Sequence, residues 1–243
     1  MAETQALLSL EGVHTHIAEY HILQGVDLEV PRGGVTMLLG RNGAGKTTTL
    51  RTIMGLWRAS SGAIRLDGEE VTGAATPELA RRGVAYVPEE MGIFSGLTVR
   101  ENLVLAARSG PLDEARLEWI FALFPALKKF WNSAAGNLSG GQKQMLAIAR
   151  AVIEPRRLLL IDEPSKGLAP VIVDALIEAF RQLKAGDTTI LMVEQNFQMA
   201  RALGDSVAVM DDGRVVHRGT MRALAGDEAL QTRLLGLSLD SHQ

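Results

Sequence analysis

The sequence predicts an α/β fold in which buried strands carry a phosphate-binding loop, with an antiparallel β-subdomain before the loop and an inserted helical subdomain after it. Three observations support this prediction. A glycine-rich segment follows an apolar run at 35–39, a second apolar run at 158–161 ends in two acidic residues, and helical periodicity fills much of the chain between them. Short apolar runs of this kind are typical of buried parallel strands, so both segments are expected at the ligand-binding edge of one sheet.

The first third of the chain is expected to be mostly β-structure. Residues 8–13 and 22–30 alternate apolar and polar side chains, which predicts edge antiparallel strands. Thr76 and Pro77 predict the cap and the first turn of a helix that ends near Gly83. Further short strands are predicted from apolar runs between turn residues at 63–66 and 84–87.

The rest of the chain is expected to be mainly helical, with short strands between the helices. Apolar residues recur at helical spacing from 98 to 130, and a further helix opens at Ser139 and stops at Pro155. A last helix is predicted from about 220 to 235. Asp212 and Gly213 predict a hairpin turn. The same patterns predict a helix over 172–183 and a buried strand over 189–193.

The glycine-rich segment fits the pattern G-x-x-x-x-G-K-[ST] directly after a buried strand. In such a loop the glycines let backbone N–H groups turn toward a phosphate, and the following helix adds the positive end of its dipole. Lys46 supplies a cation for the β- and γ-phosphates, and Thr47 supplies a hydroxyl for Mg²⁺. The residues expected to bind nucleotide in this segment are Gly40, Arg41, Asn42, Gly43, Ala44, Gly45, Lys46, Thr47 and Thr48.

Two acidic residues follow the second buried strand. Asp162 is expected to hold Mg²⁺, directly or through water, and Glu163 is expected to be the base that orients and deprotonates an attacking water. A solvated acidic strand end is the alternative. That alternative is weakened because a nucleotide loop stands elsewhere in the same chain.

A third segment, Ser139-Gly140-Gly141-Gln142, opens a helix. Ser139 is a good N-cap residue, so a well-capped helix is one interpretation. Two glycines in a first turn weaken a helix but allow its N–H groups to approach a phosphate closely. The segment therefore predicts a second phosphate contact.

Together these motifs resemble those of the ATP-binding subunits of ABC transporters, over essentially the whole chain. Residues 40–47 are similar to Walker A, 138–142 to the ABC signature and 158–163 to Walker B. The resemblance implies ATP and Mg²⁺ as cofactors and a P-loop NTPase core, with one ABC ATPase domain over 1–243 and a helical subdomain over 90–153 that includes the signature helix. It also implies that residues 164–170 form the D-loop that couples two sites. The residues implied to act in trans, on nucleotide held by a second subunit, are Ser139, Gly140, Gly141 and Gln142.

Two positions depart from the wider ABC pattern and resemble the ATPases of branched-chain amino acid importers. Glu89 stands where the Q-loop normally has glutamine, and Gln195 stands where the switch histidine normally follows its strand. Glu89 can accept a water or ligate Mg²⁺, but it adds a negative charge near the phosphates. Gln195 can donate an amide N–H to the γ-phosphate and keeps its charge near neutral pH. An ordinary polar residue at a strand end is the alternative interpretation of Gln195.

A third departure concerns adenine. Register with the family places the stacking aromatic at Ile17, with His16 and Tyr20 as the nearest rings. Ile17 is therefore expected to give the base apolar contact, and Tyr20 is expected to pack against the sheet.

Composition limits the classes of partner. The chain of 243 residues has a net charge of −3 and lacks the lysine- or arginine-rich tracts of nucleic-acid-binding proteins, so no nucleic acid is expected. It has no cysteine, which excludes disulfides and thiolate metal sites. No apolar run approaches the roughly eighteen residues of a membrane span. The expected location is cytoplasmic, peripheral on the inner face of the membrane through a permease.

The resemblance implies the ATP-hydrolysing subunit of an importer for branched-chain or related amino acids or amides. The implied partners are transmembrane permease subunits, a second ABC ATPase subunit that is identical or related and, indirectly, a periplasmic or extracellular solute-binding protein. Two alternatives stay open: the ATPase of an exporter of the lipopolysaccharide type, and a non-transport ABC ATPase.

Overall fold

Two β-sheets form the framework of the computed structural model, which describes residues 6–107, 110–186 and 188–236. The antiparallel sheet contains β1 Ala6–Ile17, β2 Tyr20–Pro31, β4 Ala59–Leu66 and β5 Glu69–Glu70. The larger sheet contains β3 Val35–Gly40, β6 Val84–Val87, β7 Leu158–Asp162, β8 Thr189–Val193, β9 Ser206–Asp211 and β10 Arg214–Thr220. The strand orders are β2-β1-β4-β5 and β10-β9-β3-β8-β7-β6, and in the larger sheet β10 alone is antiparallel to its neighbour.

Helices cover the larger sheet and fill the chain between β6 and β7. The described α-helices are α1 Lys46–Ile53, α2 Thr76–Arg81, α3 Val99–Ala106, α4 Glu114–Leu123, α5 Pro125–Lys129, α6 Gly140–Val152, α7 Pro170–Ala185, α8 Phe197–Leu203, α9 Met221–Ala225 and α10 Glu228–Leu235. In the described part of the chain, no helix has the length and apolar character needed to cross a bilayer. The predicted fold class, with its antiparallel sheet, parallel core and inserted helices, is confirmed.

The central strands of the larger sheet are buried on both faces, and they separate two hydrophobic cores. In β7, Leu159 and Ile161 pack into the core formed with the helices α3 to α8. Leu158 and Leu160 pack into the core formed with the antiparallel sheet and α1. Removal of apolar surface from water on both sides stabilises this part of the sheet. It is therefore a rigid support for groups at the strand ends.

The carboxyl ends of three neighbouring strands, β3, β8 and β7, bring the candidate site residues to one edge of the larger sheet. β3 pairs with β8 and β8 pairs with β7, all parallel, with Leu38 opposite Val193 and Val193 opposite Asp162. The loop after β3, the two acids at the end of β7 and the turn after β8 therefore lie side by side. This carboxyl edge is where ligands bind in open α/β sheets.

Two details of the predicted β-region are wrong. β1 is not an edge strand, because β4 pairs with the side of β1 that β2 leaves free. Thr76 does not cap α2: the cap position is Ala75, and the Thr76 hydroxyl instead donates a hydrogen bond to the Met54 carbonyl, 2.9 Å away.

The helix boundaries also differ from those predicted. The helical stretch at 98–130 divides into α3, α4 and α5, with residues 108 and 109 of the connection lying outside the described residues. The last helix divides at Gly226, and the Asp227 side chain caps α10 by accepting a hydrogen bond from the Leu230 N–H at 2.9 Å. The hairpin prediction is confirmed, since Asp212 and Gly213 have φ of 43° and 72° between β9 and β10.

Candidate functional site

The loop after β3 encloses the Lys46 ammonium. Gly40 has φ of 141°, and a Cβ at this position would lie 2.2 Å from the Met210 carbonyl oxygen, so only glycine fits. Lys46 is buried, and its Nζ donates hydrogen bonds to the carbonyls of Gly40 at 2.8 Å and Arg41 at 2.9 Å. The positive charge is thus held inside the curve of the loop, as contact with the β- and γ-phosphates requires.

The remaining loop residues divide by exposure. Arg41, Asn42 and Gly43 form the exposed tip, whereas Ala44 is buried. Gly45, with φ of 98°, is the N-cap of α1. The first turn of α1, which includes the half-buried Thr47 and Thr48, therefore directs its free N–H groups toward the concave side of the loop.

Thr47 and Asp162 supply adjacent oxygen atoms. The Thr47 hydroxyl donates to Asp162 Oδ1 at 3.0 Å, and the Tyr86 hydroxyl donates to Asp162 Oδ2 at 3.2 Å. Among residues 6–107, 110–186 and 188–236, no group of three or more His, Cys, Asp and Glu side chains could hold a metal ion. The pair fits Mg²⁺, because that ion is usually held by one or two protein oxygens together with substrate phosphates and water.

Burial strongly affects the Asp162 carboxyl. The pKa of Asp162 is raised to about 6, mainly because the carboxyl is removed from water and to a smaller extent because of the charges of Glu163 and Glu89. The hydrogen bonds from Thr47 and Tyr86 act in the opposite direction. Burial also lowers the pKa of Lys46, whereas the carboxylates of Glu163 and Asp162 raise it.

Replacement of Asp162 by asparagine is expected to stabilise the nucleotide-free protein at pH 8. Because the pKa of Asp162 is raised in the folded state, the stability that this group contributes is present below pH 4 and is lost as the pH rises through about 6. The gain of D162N should therefore be about 1–3 kcal/mol at pH 8 and should vanish near pH 4. Urea unfolding at both pH values measures it. Asp211→Asn, at an exposed aspartate, is the control, and an equal gain for D162N at both pH values would contradict the argument.

Glu163 is held in an unusual backbone conformation directly after β7. Its φ is 46°, a left-handed value that costs energy for a residue with a side chain, and its N–H donates to the Val193 carbonyl at 2.9 Å. The Gln195 amide Nε2 donates to Glu163 Oε1 at 2.6 Å. The position of the Glu163 carboxylate is thus fixed by contacts at the ends of two strands, β7 and β8. The predicted contact of Gln195 with a γ-phosphate stays a prediction, and the structure adds this contact with Glu163.

Glu89 and Lys166 extend the site. Lys166 Nζ lies 2.5 Å from Glu89 Oε1 and 3.6 Å from Glu163 Oε2. The hydrogen bond with Glu89 raises the pKa of Lys166, as do the charges of Glu163 and Glu89. From the sequence, Lys166 was expected only as part of the D-loop at 164–170, and its contacts with Glu89 and Glu163 were not predicted.

Glu194 is a second residue that the sequence did not single out. It is 2% exposed, and its carboxylate accepts hydrogen bonds from the backbone N–H of Ser165 at 2.9 Å, Gln195 at 3.0 Å and Asn196 at 3.0 Å. Burial raises the pKa of Glu194 despite these bonds. The carboxylate fixes the turn after β7 to the turn after β8. An acid directly after a buried strand was the available signal.

The segment at 139–142 begins α6. Ser139 Oγ accepts from the Gln142 N–H at 3.4 Å, and Gln142 Oε1 accepts from the Ser139 N–H at 2.9 Å, which is a capping box. A Cβ on Gly141 would lie 2.7 Å from Ile172 Cγ2, so close packing against α7 explains this glycine without a ligand. Gly140 is exposed and has no such neighbour within 3.4 Å. Among the two glycines, Gly140 is therefore the one that packing leaves unexplained.

Ile17 lies at the end of β1, opposite Tyr20 across the hairpin. Tyr20 is 74% exposed, so the expectation that it packs against the sheet is wrong. Its position beside the tight turn, where Ala18 has φ of 52°, turns the ring to solvent. His16 stacks on His21 with ring centroids 4.2 Å apart. Ile17 is half-buried and remains a candidate for apolar contact with a base.

Open space adjoins these groups. A cavity of about 320 Å³ has Gly40, Asn42 and Gln195 among its lining residues. A neighbouring cavity of about 360 Å³ is lined by Asn42, Glu163 and Lys166, among others. A ligand held by the loop therefore has room to meet Glu163 on one side.

Comparisons with known proteins show the family of the chain. A family model described as ABC transporter matches residues 23–166. The chain is 40% identical over 232 residues to the high-affinity branched-chain amino acid transport ATP-binding protein BraG of Pseudomonas aeruginosa, covering 95% of this chain and 100% of the relative. It is 36% identical over 222 residues to the probable branched-chain amino acid transport ATP-binding protein LivF of Archaeoglobus fulgidus, covering 90% and 94%.

Solved structures give the same result. An ATP-binding cassette of an ABC transporter in its ADP conformation superposes with a TM-score of 0.80 at 25% identity, covering 96% of this chain and 100% of that one. An ATP-binding subunit of an ABC transporter superposes with a TM-score of 0.79 at 34% identity, covering 96% of each chain.

Proposed function

The chain belongs to the ABC transporter family and is an ATPase, and from this premise we propose that it powers the uptake of branched-chain or related amino acids through a separate membrane permease. The observation that supports the transported class is the full-length match to BraG, a branched-chain amino acid transport ATP-binding protein. The LivF relative carries the same substrate class in its name. Both names favour amino acid transport over lipopolysaccharide export.

In the proposed mechanism, the loop holds the nucleotide and β7 supplies the hydrolytic groups. Backbone N–H groups of residues 40–48 and the Lys46 ammonium bind the β- and γ-phosphates. Thr47 and Asp162 would hold Mg²⁺, with Glu89 as a further candidate ligand. The ion would supply positive charge that offsets the negative charge of the phosphates.

Glu163 is the proposed base. It accepts a proton from the attacking water, and the Gln195 amide keeps its carboxylate in position at 2.6 Å. The contact is compatible with a role for Gln195 at the γ-phosphate, since its amide carries a second N–H. Burial of Asp162 and Glu163 excludes most competing water from the carboxylates.

The site is completed, in this proposal, by a second ATPase subunit. Ser139, Gly140, Gly141 and Gln142 bind the γ-phosphate held by the partner loop. The exposed Ser139 and Gly140 at the start of α6 support this role, because N–H groups of a first helical turn bind anions. The chain acts as one ABC ATPase domain, with a helical subdomain over 90–153.

The proposed complex places this chain on the cytoplasmic face of the membrane. Its partners are transmembrane permease subunits, a second ATPase subunit that is identical or a related paralogue and, indirectly, a solute-binding protein outside the membrane. No partner in this scheme is a nucleic acid.

Purification of the membrane complex through a tagged copy of the chain tests the proposal. Permease subunits are expected to co-purify, and the complex in proteoliposomes should take up radiolabelled leucine only when ATP is present on the ATPase side. A complex of the Lys46→Ala variant should assemble without uptake. Co-purification of lipopolysaccharide transport proteins, or of no membrane protein, would contradict the proposal.

A further inference from the structure

The Lys166 side chain lies between two carboxylates that come from distant parts of the chain. Its Nζ is 2.5 Å from Glu89 Oε1, after β6, and 3.6 Å from Glu163 Oε2, after β7. The Glu163 side chain is 8% exposed and the Glu89 side chain 34% exposed, whereas that of Lys166 is 58% exposed. One ammonium at the surface therefore contacts a buried carboxylate and a half-buried one.

The backbone holds Lys166 in this place. The Lys166 N–H donates a hydrogen bond to the Glu163 carbonyl at 3.2 Å. This bond closes a turn, which places the lysine close to the Glu163 side chain. The preceding residue, Ser165, is fixed by its N–H bond of 2.9 Å to the buried Glu194 carboxylate. The lysine stem thus starts from an anchored turn, and less conformational entropy is lost when its head group binds.

The negative charges around the site indicate what the contact of Lys166 with Glu89 does. Glu89, Asp162 and Glu163 bring three carboxylates to the edge where polyphosphate is proposed to bind. Glutamate at position 89 adds one more negative charge than an amide side chain would, and like charges near phosphate weaken its binding. Among the described residues, Lys166 supplies the cation that contacts Glu89 directly.

We propose that Lys166 is a positioning residue for hydrolysis. Its ammonium holds the Glu163 carboxylate in position for the attacking water, and it offsets the negative charge that Glu89 places beside the phosphates. The inference rests on the proposed role of Glu163 as the base. Isolated exposed ion pairs contribute little to stability. Removal of the Lys166 ammonium, however, would leave the buried Glu163 carboxylate without this cation.

Five variants of the full chain test this role, one of them the single change Glu89→Gln. Lys166→Met keeps the aliphatic stem and removes the charge, and Lys166→Arg keeps the charge. Glu89→Gln combined with Lys166→Met removes both partners of the 2.5 Å pair. The matched control is Lys184→Met, which removes a lysine that contacts Asp205 at the same distance of 2.5 Å, away from the site.

Two readouts separate binding from hydrolysis. The first is the Kd of a non-hydrolysable ATP analogue with Mg²⁺, and the second is steady-state kcat. Lys166→Met should raise Kd about five-fold and lower kcat about ten-fold, within the range of coupled charged neighbours. Lys166→Arg should restore both values to within about two-fold, and Lys184→Met should change neither. The double variant should regain the wild-type Kd but only part of kcat. The excess charge is gone and the amide oxygen of glutamine at position 89 can still ligate Mg²⁺, whereas Glu163 still lacks its support.

Other results would overturn the inference. Lys166→Met could keep the Kd and kcat of the wild type, or Glu89→Gln could change Kd by the same factor with and without Lys166. Either result would show that the lysine does not offset the charge of Glu89. A failure of Lys166→Arg to restore kcat would show that a cation at this position is not sufficient. A fully active Glu163→Gln variant would instead refute the base on which the inference rests, so the two failures are distinguishable.

Discussion

Replacement of Glu163 by glutamine is expected to lower kcat for ATP hydrolysis by about 10²- to 10⁴-fold, the contribution of a positioned general base. Glutamine has nearly the same shape, and its carbonyl oxygen can still accept the hydrogen bond that Gln195 donates to Glu163 at 2.6 Å. The side chain can no longer take a proton from water. Steady-state turnover at saturating ATP measures the effect.

Nucleotide affinity should survive the same substitution. The proposed phosphate contacts come from the loop, Lys46 and Thr47, and removal of one negative charge near the phosphates does not weaken them. Titration with a fluorescent ATP analogue should give a Kd no higher than that of the wild type. Glu178→Gln, an exposed carboxylate on α7, is the matched control and should turn over normally. Normal turnover in Glu163→Gln would show that another group is the base.

Replacement of Lys46 by alanine is expected to abolish hydrolysis and to weaken ATP binding at least about ten-fold, since hydrogen bonds to charged groups are among the strongest in proteins. The Lys46 ammonium is buried within the loop, and the negative charges of Glu163 and Asp162 act to raise its pKa. Alanine leaves the site with its carboxylates and without this cation.

The Lys46 experiment needs a stability control. Alanine removes the hydrogen bonds to the carbonyls of Gly40 and Arg41, so the loop itself could loosen. A thermal melt without nucleotide separates lost folding from lost binding. Lys128→Ala, at an exposed lysine of α5, should bind ATP as the wild type does. ATP binding and turnover at wild-type levels in Lys46→Ala would refute the assignment of the loop.

Local patterns explain what the sequence could predict. The phosphate loop, the cap at Ser139 and the turn at Asp212 each depend on residues within a few positions of one another. Backbone geometry and hydrogen bonding act over that range, so residue type and spacing are sufficient. The break at Gly226 had such a signal too, in the cap residue Asp227, but helical periodicity concealed it.

The missed residues depend on contacts between distant segments. Lys166 meets Glu89 across 77 positions, and Tyr86 meets Asp162 across 76. No spacing rule relates such residues, because the pairing of β6 with β7 brings them together. Gly141 shows the converse case: its role in packing against Ile172 is visible only once α6 and α7 are placed.

The identity of the nucleotide that stays bound after one round of binding tests the central claim most directly. Wild type and Glu163→Gln are mixed with labelled ATP and Mg²⁺, freed of unbound nucleotide, quenched with acid and analysed for ATP and ADP. If Glu163 activates water in the site formed by Lys46, Thr47 and Asp162, the wild type should hold mainly ADP and the variant should hold intact ATP. ADP formed at the wild-type rate by the variant would contradict the account.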